Sequence, residues 1–205
     1  MAQSDKKLII IGASGHGKVI ADIAIACGYE ILGFLDDDVN KKECCGCSVL
    51  GTTADAEKYS ECDFIIAVGN NAVRRKIANS YPLLSYTVLI HPSAIISVSA
   101  KIADGTVVMP QAVINAGAVI GRHCIVNTAS VIEHDCRIEN YTHISPGAVL
   151  CGTVSVGENT WVGAGSTVIN NVGICSNTVI GAGSTVTKNI EKSGVYIGTP
   201  AHGLV

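Results

Sequence analysis

The sequence has few aromatic residues, little charge and no basic run. It contains one Trp, two Phe and six Tyr residues against 22 Gly, and 15% of its 205 residues are charged. Few aromatics with many glycines are typical of short strands joined by tight corners. The net charge is −3 and the basic residues form no patch, which argues against a nucleic-acid partner.

Long apolar runs are also missing. The first residues, Met1–Lys7, are polar, and the apolar stretch Leu8–Gly12 is too short for a signal-peptide core or a membrane span. We therefore expect a cytoplasmic protein with no membrane partner.

Nine cysteines are present, but their spacing does not suggest a disulfide framework. Cys44, Cys45 and Cys47 form the only cluster, and Cys62 is the only nearby candidate for a fourth zinc ligand. A zinc site of this kind would usually need a second ligand pair at finger-like spacing. We expect reduced thiols and no bound metal.

One stretch of the chain, residues 96–186, repeats every six residues. Each sixth residue is Ile, Leu or Val, and the residue two places before it is small throughout. No helix has a period of six, and a hexad of this composition is typical of a parallel β-helix. The aliphatic residues are Ile96, Ile102, Val108, Ile114, Ile120, Val126, Ile132, Ile138, Ile144, Leu150, Val156, Val162, Val168, Ile174, Ile180 and Val186.

Three hexads would close one triangular coil, and the strands of successive coils would pair along the prism. Each aliphatic side chain would fill the interior, which stabilises the fold by roughly 1.5–3 kcal/mol per side chain. The residue after the aliphatic is often Gly, Asn or acidic, as at Asn115 and Gly121, and we expect unusual backbone angles there. Residues 89–191 are assigned to this β-helix and residues 192–205 to a C-terminal tail.

Residues 1–88 are predicted to form a small Rossmann-like α/β domain. Strands that alternate with helices indicate a parallel sheet. The predicted elements are the strands Lys7–Ile11, Glu30–Leu35, Asp63–Val68 and Tyr86–Ile90 and the helices Lys18–Cys27 and Ala72–Ser80.

A glycine loop follows the first strand of this domain. It contains Ser14, Gly15 and His16, and it leads directly into the first helix. Glycines allow a phosphate to approach the backbone closely, and the helix N-terminus offers free N–H groups. The pattern is G-x-x-G-x-G rather than the dinucleotide pattern G-x-G-x-x-G, so NAD is not expected. A histidine in such a loop is expected to face ligand.

Two further loops follow strand ends at the same predicted edge. Asp36 and Asp37 end the second strand, and an acid there can accept hydrogen bonds from a ribose or a base. Gly69 and Asn70 follow the third strand. Together the three loops predict a nucleotide-type ligand; the alternative is that the glycines only make a turn and the aspartates are only solvated.

His134 and Asp135 take the two outward positions between Ile132 and Cys136. A carboxylate beside a histidine can hold one tautomer and make the imidazole more basic. From the residues alone, this pair is either a catalytic base or a solvated polar pair.

Five motifs together resemble the sialic-acid O-acetyltransferase-like hexapeptide acyltransferases, and most of all the UDP-amino-sugar N-acetyltransferases of bacillosamine synthesis. The resemblance covers the whole chain. The motifs are Gly12-Ala-Ser-Gly-His-Gly17, Phe34-Leu-Asp-Asp37, Phe64-Ile-Ile-Ala-Val-Gly-Asn-Asn71, Arg75-Lys76 and Asn127-Thr-Ala-Ser-Val-Ile-Glu-His-Asp-Cys136.

The resemblance implies a left-handed β-helix, a homotrimer with acetyl-CoA bound between neighbouring prisms, and a nucleotide sugar held by the N-terminal domain. It implies that His134 is the general base and that Asp135 raises its basicity. It also implies roles for a larger set of residues. The nucleotide-sugar contacts are Ser14, Gly15, His16, Asp36 and Asp37, and the acetyl-CoA site is lined by His143, Gly152, Ala164 and Ala182.

The function predicted from this resemblance is direct acetyl transfer to the 4-amino group of a UDP-4-amino-4,6-dideoxy-N-acetylglucosamine type of sugar. GDP-perosamine N-acetylation, sialic-acid O-acetylation and a non-enzymatic nucleotide-sugar-binding protein stay open. A zinc hydrolyase on this fold is disfavoured, because His123, His134 and His143 do not follow the 18-residue spacing of one coil. A covalent acyl-enzyme is disfavoured because the repeat points Cys136 inward.

Overall fold

The computed structural model describes residues 6–204. The elements of the N-terminal part are β1 Lys7–Ile11, α1 Gly15–Ala26, β2 Glu30–Leu35, β3 Glu43–Cys44, β4 Cys47–Gly51, a 3₁₀ helix Thr53–Tyr59, β5 Asp63–Ile66, α2 Asn71–Ser80 and β6 Ser85–Tyr86. Its strands form a six-stranded sheet in the order β3-β4-β2-β1-β5-β6, with β2 and β5 both parallel to β1.

The predicted strands β1 and β2 have the predicted bounds. Helix α1 begins at Gly15, three residues before its predicted start, because the end of the glycine loop forms the first helical turn. The hairpin β3–β4 was not predicted. Strand β3 has only two residues, which is too short to show an alternation of apolar and polar side chains. Its two-residue turn, Cys45-Gly46, has left-handed φ angles of 52° and 75°.

The second part of the chain is a β-helix of two-residue strands. Its elements, in chain order, are β7 Leu89–Ile90, β8 Ile95–Ile96, β9 Lys101–Ile102, β10 Val107–Val108, β11 Val113–Ile114, β12 Val119–Ile120, β13 Ile125–Val126, β14 Val131–Ile132, β15 Arg137–Ile138, β16 His143–Ile144, β17 Val149–Leu150, β18 Ser155–Val156, β19 Trp161–Val162, β20 Thr167–Val168, β21 Gly173–Ile174, β22 Val179–Ile180, β23 Thr185–Val186, β24 Val195–Ile197 and β25 His202–Gly203.

These strands form the three faces of a prism. The first face contains β7, β10, β13, β16, β19, β22, β24 and β25; the second contains β8, β11, β14, β17, β20 and β23; the third contains β9, β12, β15, β18 and β21. Strands of successive coils pair in parallel between residues 18 apart, as at His143 and Trp161. The predicted repeat and coil length are confirmed.

The aliphatic row fills the prism as predicted. Val126, Ile144 and Val162 are fully buried, and small residues two places earlier, such as Thr142 and Thr160, are also fully buried. One continuous core therefore runs along the prism axis.

The expectation about backbone angles at the corners was wrong. Left-handed φ angles occur three residues after the aliphatic, for example at His123 (54°) and Asp135 (59°), and not directly after it. Gly121, directly after Ile120, is needed for a different reason. A Cβ there would lie 2.7 Å from the backbone nitrogen of Asn140 in the next coil, so this glycine permits close stacking of coils.

The outward residues differ between the faces. On the first face, Leu89, Val107 and Ile125 are buried against the N-terminal domain. The second face presents an apolar row, Ile95, Val113, Val131 and Val149, of which Ile95 is 66% exposed. The third face is more polar, with Lys101, Arg137 and Ser155 at its outward positions.

The predicted strand Tyr86–Ile90 is divided in the structure. Ser85–Tyr86 ends the N-terminal sheet and Leu89–Ile90 begins the first face of the prism. At the other end, Val195–Ile197 pairs with Val179–Ile180 and then turns back as an antiparallel hairpin. Within residues 6–204, no helix is long and apolar enough to span a membrane.

Candidate active site

The His134–Asp135 pair lies at the corner between the second and third faces. The Nδ1 atom of His134 is 2.9 Å from the Oδ2 atom of Asp135. A carboxylate accepts, so the neutral imidazole donates from Nδ1 and leaves the Nε2 lone pair free. Both side chains are exposed, at 59% and 65%. The pair therefore has the form of an oriented base with access to a ligand.

Gly152 lies one coil above His134. A Cβ on Gly152 would be 2.5 Å from His134 Nε2, so only glycine leaves room for the imidazole in this position. Of the four residues that the resemblance assigned to acetyl-CoA, this one therefore lies beside His134.

The other three, His143, Ala164 and Ala182, line one groove on the first face. The groove has a volume of about 420 Å³, and Trp161 and Pro146 are also among its walls. The ring of His143 stacks on Trp161, with centroids 5.2 Å apart and 9° between the planes. The groove is largely apolar and open at the surface, which suits an extended pantetheine chain.

The tautomer of His143 follows from its neighbour Asn127. The Oδ1 atom of Asn127 accepts from the backbone N–H of Thr128, so its Nδ2 group faces His143 Nε2 at 3.0 Å. Nε2 therefore accepts and Nδ1 carries the proton. Burial lowers the pKa of His143 to about 3, with a further effect of the Arg74 charge, so the ring is neutral.

The predicted nucleotide-sugar residues gather at one edge of the N-terminal sheet. Ser14 precedes α1, and its side chain is exposed and forms no cap hydrogen bond, so the first N–H groups of α1 are open. Asn70, at the end of the neighbouring loop, caps α2 by accepting from Val73 N–H at 3.0 Å. Asp36, Asp37 and Gly12 line a small shared cavity between these loops.

His16 lies deeper than the sequence suggests. Its Nε2 atom is buried and has no hydrogen-bond partner among the described residues. Burial, together with a smaller effect of the Arg74 charge, lowers the pKa of His16 to about 4. The His16 side chain is therefore half-buried, and it is close enough to Arg74 and His143 for their charges to interact.

Asp36 and Asp37 already hold parts of the protein together. Asp36 Oδ2 accepts from Ala13 N–H at 2.7 Å and from Lys41 Nζ at 2.9 Å. Asp37 Oδ1 accepts from the N–H and hydroxyl groups of Thr53. Asp36 therefore shapes the glycine loop in addition to any contact of its own with ligand.

Replacing Asp36 with alanine is expected to raise the KM for the nucleotide sugar by about tenfold or more, because hydrogen bonds to a charged group stabilise by roughly 1.5–3 kcal/mol each. Acetyl-CoA affinity should change little, since the residues that the resemblance assigns to it lie on the prism and not in this loop. Steady-state kinetics and calorimetry measure both, with the exposed Asp22 replaced by alanine as control. Equal loss of both affinities in folded protein would contradict the assignment of ligands to domains.

Arg74 was missed from the sequence, where only Arg75 and Lys76 stood out. Arg74 is 1% exposed and donates hydrogen bonds to five oxygen atoms. It lies in a polar helix sequence beside Arg75 and Lys76, so the sequence does not indicate that its side chain is buried.

The structure bears on the covalent alternative, which would need a cysteine beside a base. Cys136 points inward as predicted, is fully buried, and donates from Sγ to the Cys151 carbonyl oxygen at 3.2 Å. Burial raises the pKa of its thiol. In the part of the chain that the structure describes, no three His, Cys, Asp or Glu side chains converge as a metal site.

Two family descriptions match the chain: the PglD N-terminal domain over residues 7–81 and the bacterial transferase hexapeptide (six repeats) over residues 153–188. The acetyltransferase domain of PglB from Neisseria gonorrhoeae is 40% identical over 98% of this chain and 100% of that chain, with a TM-score of 0.93. The chain belongs to the PglD-like hexapeptide-repeat acetyltransferases.

Other relatives in this acetyltransferase family carry ligands or a named activity. The PglB domain has also been solved in complex with acetyl coenzyme A. PerB from Caulobacter crescentus, in complex with CoA and GDP-perosamine, is 34% identical over 98% of this chain and 99% of its own, with a TM-score of 0.89. UDP-N-acetylbacillosamine N-acetyltransferase from Bacillus subtilis is 42% identical over 111 residues, a match that spans about half of each chain.

Proposed function

We propose that this acetyltransferase moves an acetyl group from acetyl-CoA to the 4-amino group of a nucleotide-linked amino-dideoxy sugar of the UDP-4-amino-4,6-dideoxy-N-acetylglucosamine type. The observation that carries the proposal is the His134–Asp135 pair, which leaves one imidazole nitrogen free at a corner with a glycine above it. The B. subtilis relative, which is named for acetylation of a UDP-linked sugar, supports the choice of acceptor.

The proposed reaction is direct transfer in a ternary complex. The sugar amine attacks the thioester carbonyl, a C–N bond forms, and the C–S bond breaks. His134 Nε2 takes the proton that the amine loses and returns one to the CoA sulfur, while Asp135 stabilises the imidazolium in between. No cysteine is required, which agrees with the buried position of Cys136.

The nucleotide sugar would occupy the loop edge of residues 1–88, and acetyl-CoA the groove on the prism of residues 89–191. The open N-terminus of α1 suits the diphosphate. The apolar groove with neutral His143 suits the pantetheine and acetyl groups. Gly69 and Asn70 lie between β5 and α2, directly before Asn71, which donates to the Thr160 carbonyl oxygen of the prism.

The complete site would be shared between subunits of a homotrimer. His143 lies on the first face, whereas His134 lies at the corner between the second and third faces. One prism therefore does not present both histidines to one ligand. The apolar outward row of the second face offers a surface for a second copy, and packing it there would bring His134 of one subunit towards the groove of its neighbour.

Subunit mixing tests the shared site. The variants His134→Ala and His143→Ala should each be strongly impaired alone, but trimers that contain both chains should regain part of the activity, because some interfaces then keep both histidines. Mixed trimers would be verified by native mass spectrometry and assayed for CoA release. Mixed trimers no more active than either parent would overturn the shared site.

The acceptor itself is tested by a screen of UDP-, GDP- and CMP-linked amino sugars for acetyl-CoA-dependent product. GDP-perosamine is the second candidate, because PerB was solved with that ligand. A UDP-linked 4-amino sugar should give the highest kcat/KM. Preference for a GDP-linked sugar would favour the second candidate, and no product with any amino sugar would favour a binding protein.

A further inference from the structure

Arg74 connects the N-terminal domain to the prism. Its Nη1 atom donates to the carbonyl oxygens of Val68 (2.9 Å) and Gly69 (3.2 Å), which belong to the loop after β5. Its Nε atom donates to the carbonyl oxygen of His123 (2.7 Å), and its Nη2 atom to that of Tyr141 (2.9 Å). One buried guanidinium thus binds one substrate-side loop and the corners of two successive coils.

Asn71 extends this connection to a third coil. Its Oδ1 atom accepts from Arg74 Nη2 at 2.7 Å, and its Nδ2 atom donates to the Thr160 carbonyl oxygen at 3.0 Å. Both side chains are buried. The planar fork of Arg74 and the amide of Asn71 together fix the first turn of α2 against the prism.

The anchored corner residues lie next to the two aromatic residues of the acetyl-CoA groove. Tyr141 is two residues before His143, and Thr160 directly precedes Trp161. On the other side, Gly69 and Asn70 belong to the predicted nucleotide-sugar contacts. The hydrogen bonds of Arg74 and Asn71 therefore run between the residues that hold the sugar and the residues that hold the acetyl donor.

The chemistry of Arg74 does not suit a purely stabilising role. None of its five hydrogen-bond partners is a carboxylate, since four are backbone carbonyls and one is an amide. Burying a cation without a counter-charge is costly, and well-packed apolar side chains stabilise a domain contact at least as well. A rigid fork of donors is instead suited to holding several backbone segments at fixed separations.

We propose that Arg74 is a positioning residue that sets the separation between the nucleotide-sugar loop Val68–Asn71 and the acetyl-CoA groove at His143 and Trp161. This inference rests on the proposed function for its kinetic consequence. Its structural part, the anchoring of the loop by Arg74, is independent of which substrate is used.

The test compares Arg74→Lys, which keeps the charge but loses the fork, with Arg75→Met as the matched control. Arg75 is the next residue on α2, and its side chain is 44% exposed. Its guanidinium lies 3.7 Å from a carboxylate oxygen of Glu158 and 6.0 Å from the ring centroid of Tyr141, and it donates to none of the backbone carbonyls that Arg74 binds. For Arg74→Lys, kcat/KM for the nucleotide sugar should fall about 10²-fold, the order expected for a displacement of about 1 Å between reacting groups. Acetyl-CoA affinity and binding stoichiometry should stay within about twofold, as should every parameter of Arg75→Met.

The stoichiometry of acetyl-CoA binding separates positioning from simple unfolding, since unfolding would lower the number of binding sites together with kcat. Folded Arg74→Lys with full acetyl-CoA stoichiometry and wild-type kcat/KM would overturn the proposal, as would a loss of activity that only parallels the loss of binding sites. If Arg74→Lys does not fold, Asn71→Ala takes its place: it keeps the guanidinium, removes the contact with Thr160, and should lower kcat/KM about tenfold with the same unchanged stoichiometry.

Hydrogen exchange distinguishes failure of this inference from failure of the proposed function. The amides of residues 68–71 should exchange faster in Arg74→Lys than in wild type and in Arg75→Met. If wild type acetylates no amino sugar, the proposed function fails while this exchange result still decides whether Arg74 anchors the loop. Unchanged exchange in the loop would refute the anchoring itself.

Discussion

Replacing His134 with alanine is expected to lower kcat by roughly 10²–10⁴-fold, the usual contribution of a general base. KM for both substrates should change little, because the His134 side chain contacts Asp135 and lies beside Gly152 rather than anchoring a domain. Asp135→Asn should lose less activity, since the imidazole remains but its orientation and basicity are weakened. Steady-state CoA release measures both variants.

The control is His91→Ala, whose partly exposed ring has Nδ1 2.8 Å from the hydroxyl oxygen of Ser93. It should keep kcat within about twofold. Gly152→Ala provides a second line of evidence, because its Cβ would displace the His134 ring and should lower kcat in an otherwise folded protein. A His134→Ala variant with kcat close to wild type would exclude this residue as the base.

Replacing Ile144 with aspartate is expected to unfold the prism. Ile144 is fully buried in the aliphatic row between Val126 and Val162. An unpaired carboxylate there costs several kcal/mol, a large part of the roughly 5–15 kcal/mol that keeps an ordinary domain folded. Thermal melting by circular dichroism and size-exclusion chromatography should show a loss of the cooperative transition or aggregation.

The control is Ser155→Asp, which places the same charge on the outward side of the third face. Ser155 pairs with Arg137 of the preceding coil, so the new carboxylate would face solvent beside a cation. Its melting temperature should stay near that of wild type. A soluble Ile144→Asp protein with normal melting would show that the assigned register is wrong.

The repeat could be read from the sequence because a closed coil imposes its period on every residue. An inward position in a narrow prism accepts only an aliphatic side chain, and this demand returns every six residues. The corner angles were harder to assign. Left-handed φ falls on residues as different as His123, Ala129 and Tyr141, so composition does not mark these positions.

The candidate base was also visible in the sequence. His134 and Asp135 are neighbours, and a tight corner with left-handed φ at Asp135 lets adjacent side chains meet at 2.9 Å. The glycine loop and the acids after β2 could also be located in the sequence, because each directly follows a strand whose bounds the sequence predicts.

Only the tertiary structure decided which distant residues meet. Arg74 donates to carbonyl groups 49 and 67 residues away along the chain, and Asp36 binds the backbone of Ala13 across 23 residues. The buried surroundings of His16 and His143, which hold both rings neutral, likewise arise where the two domains pack. Such contacts depend on how the helices and strands pack against one another. The periodicity of a sequence shows which face of an element is buried, but not which element packs against that face.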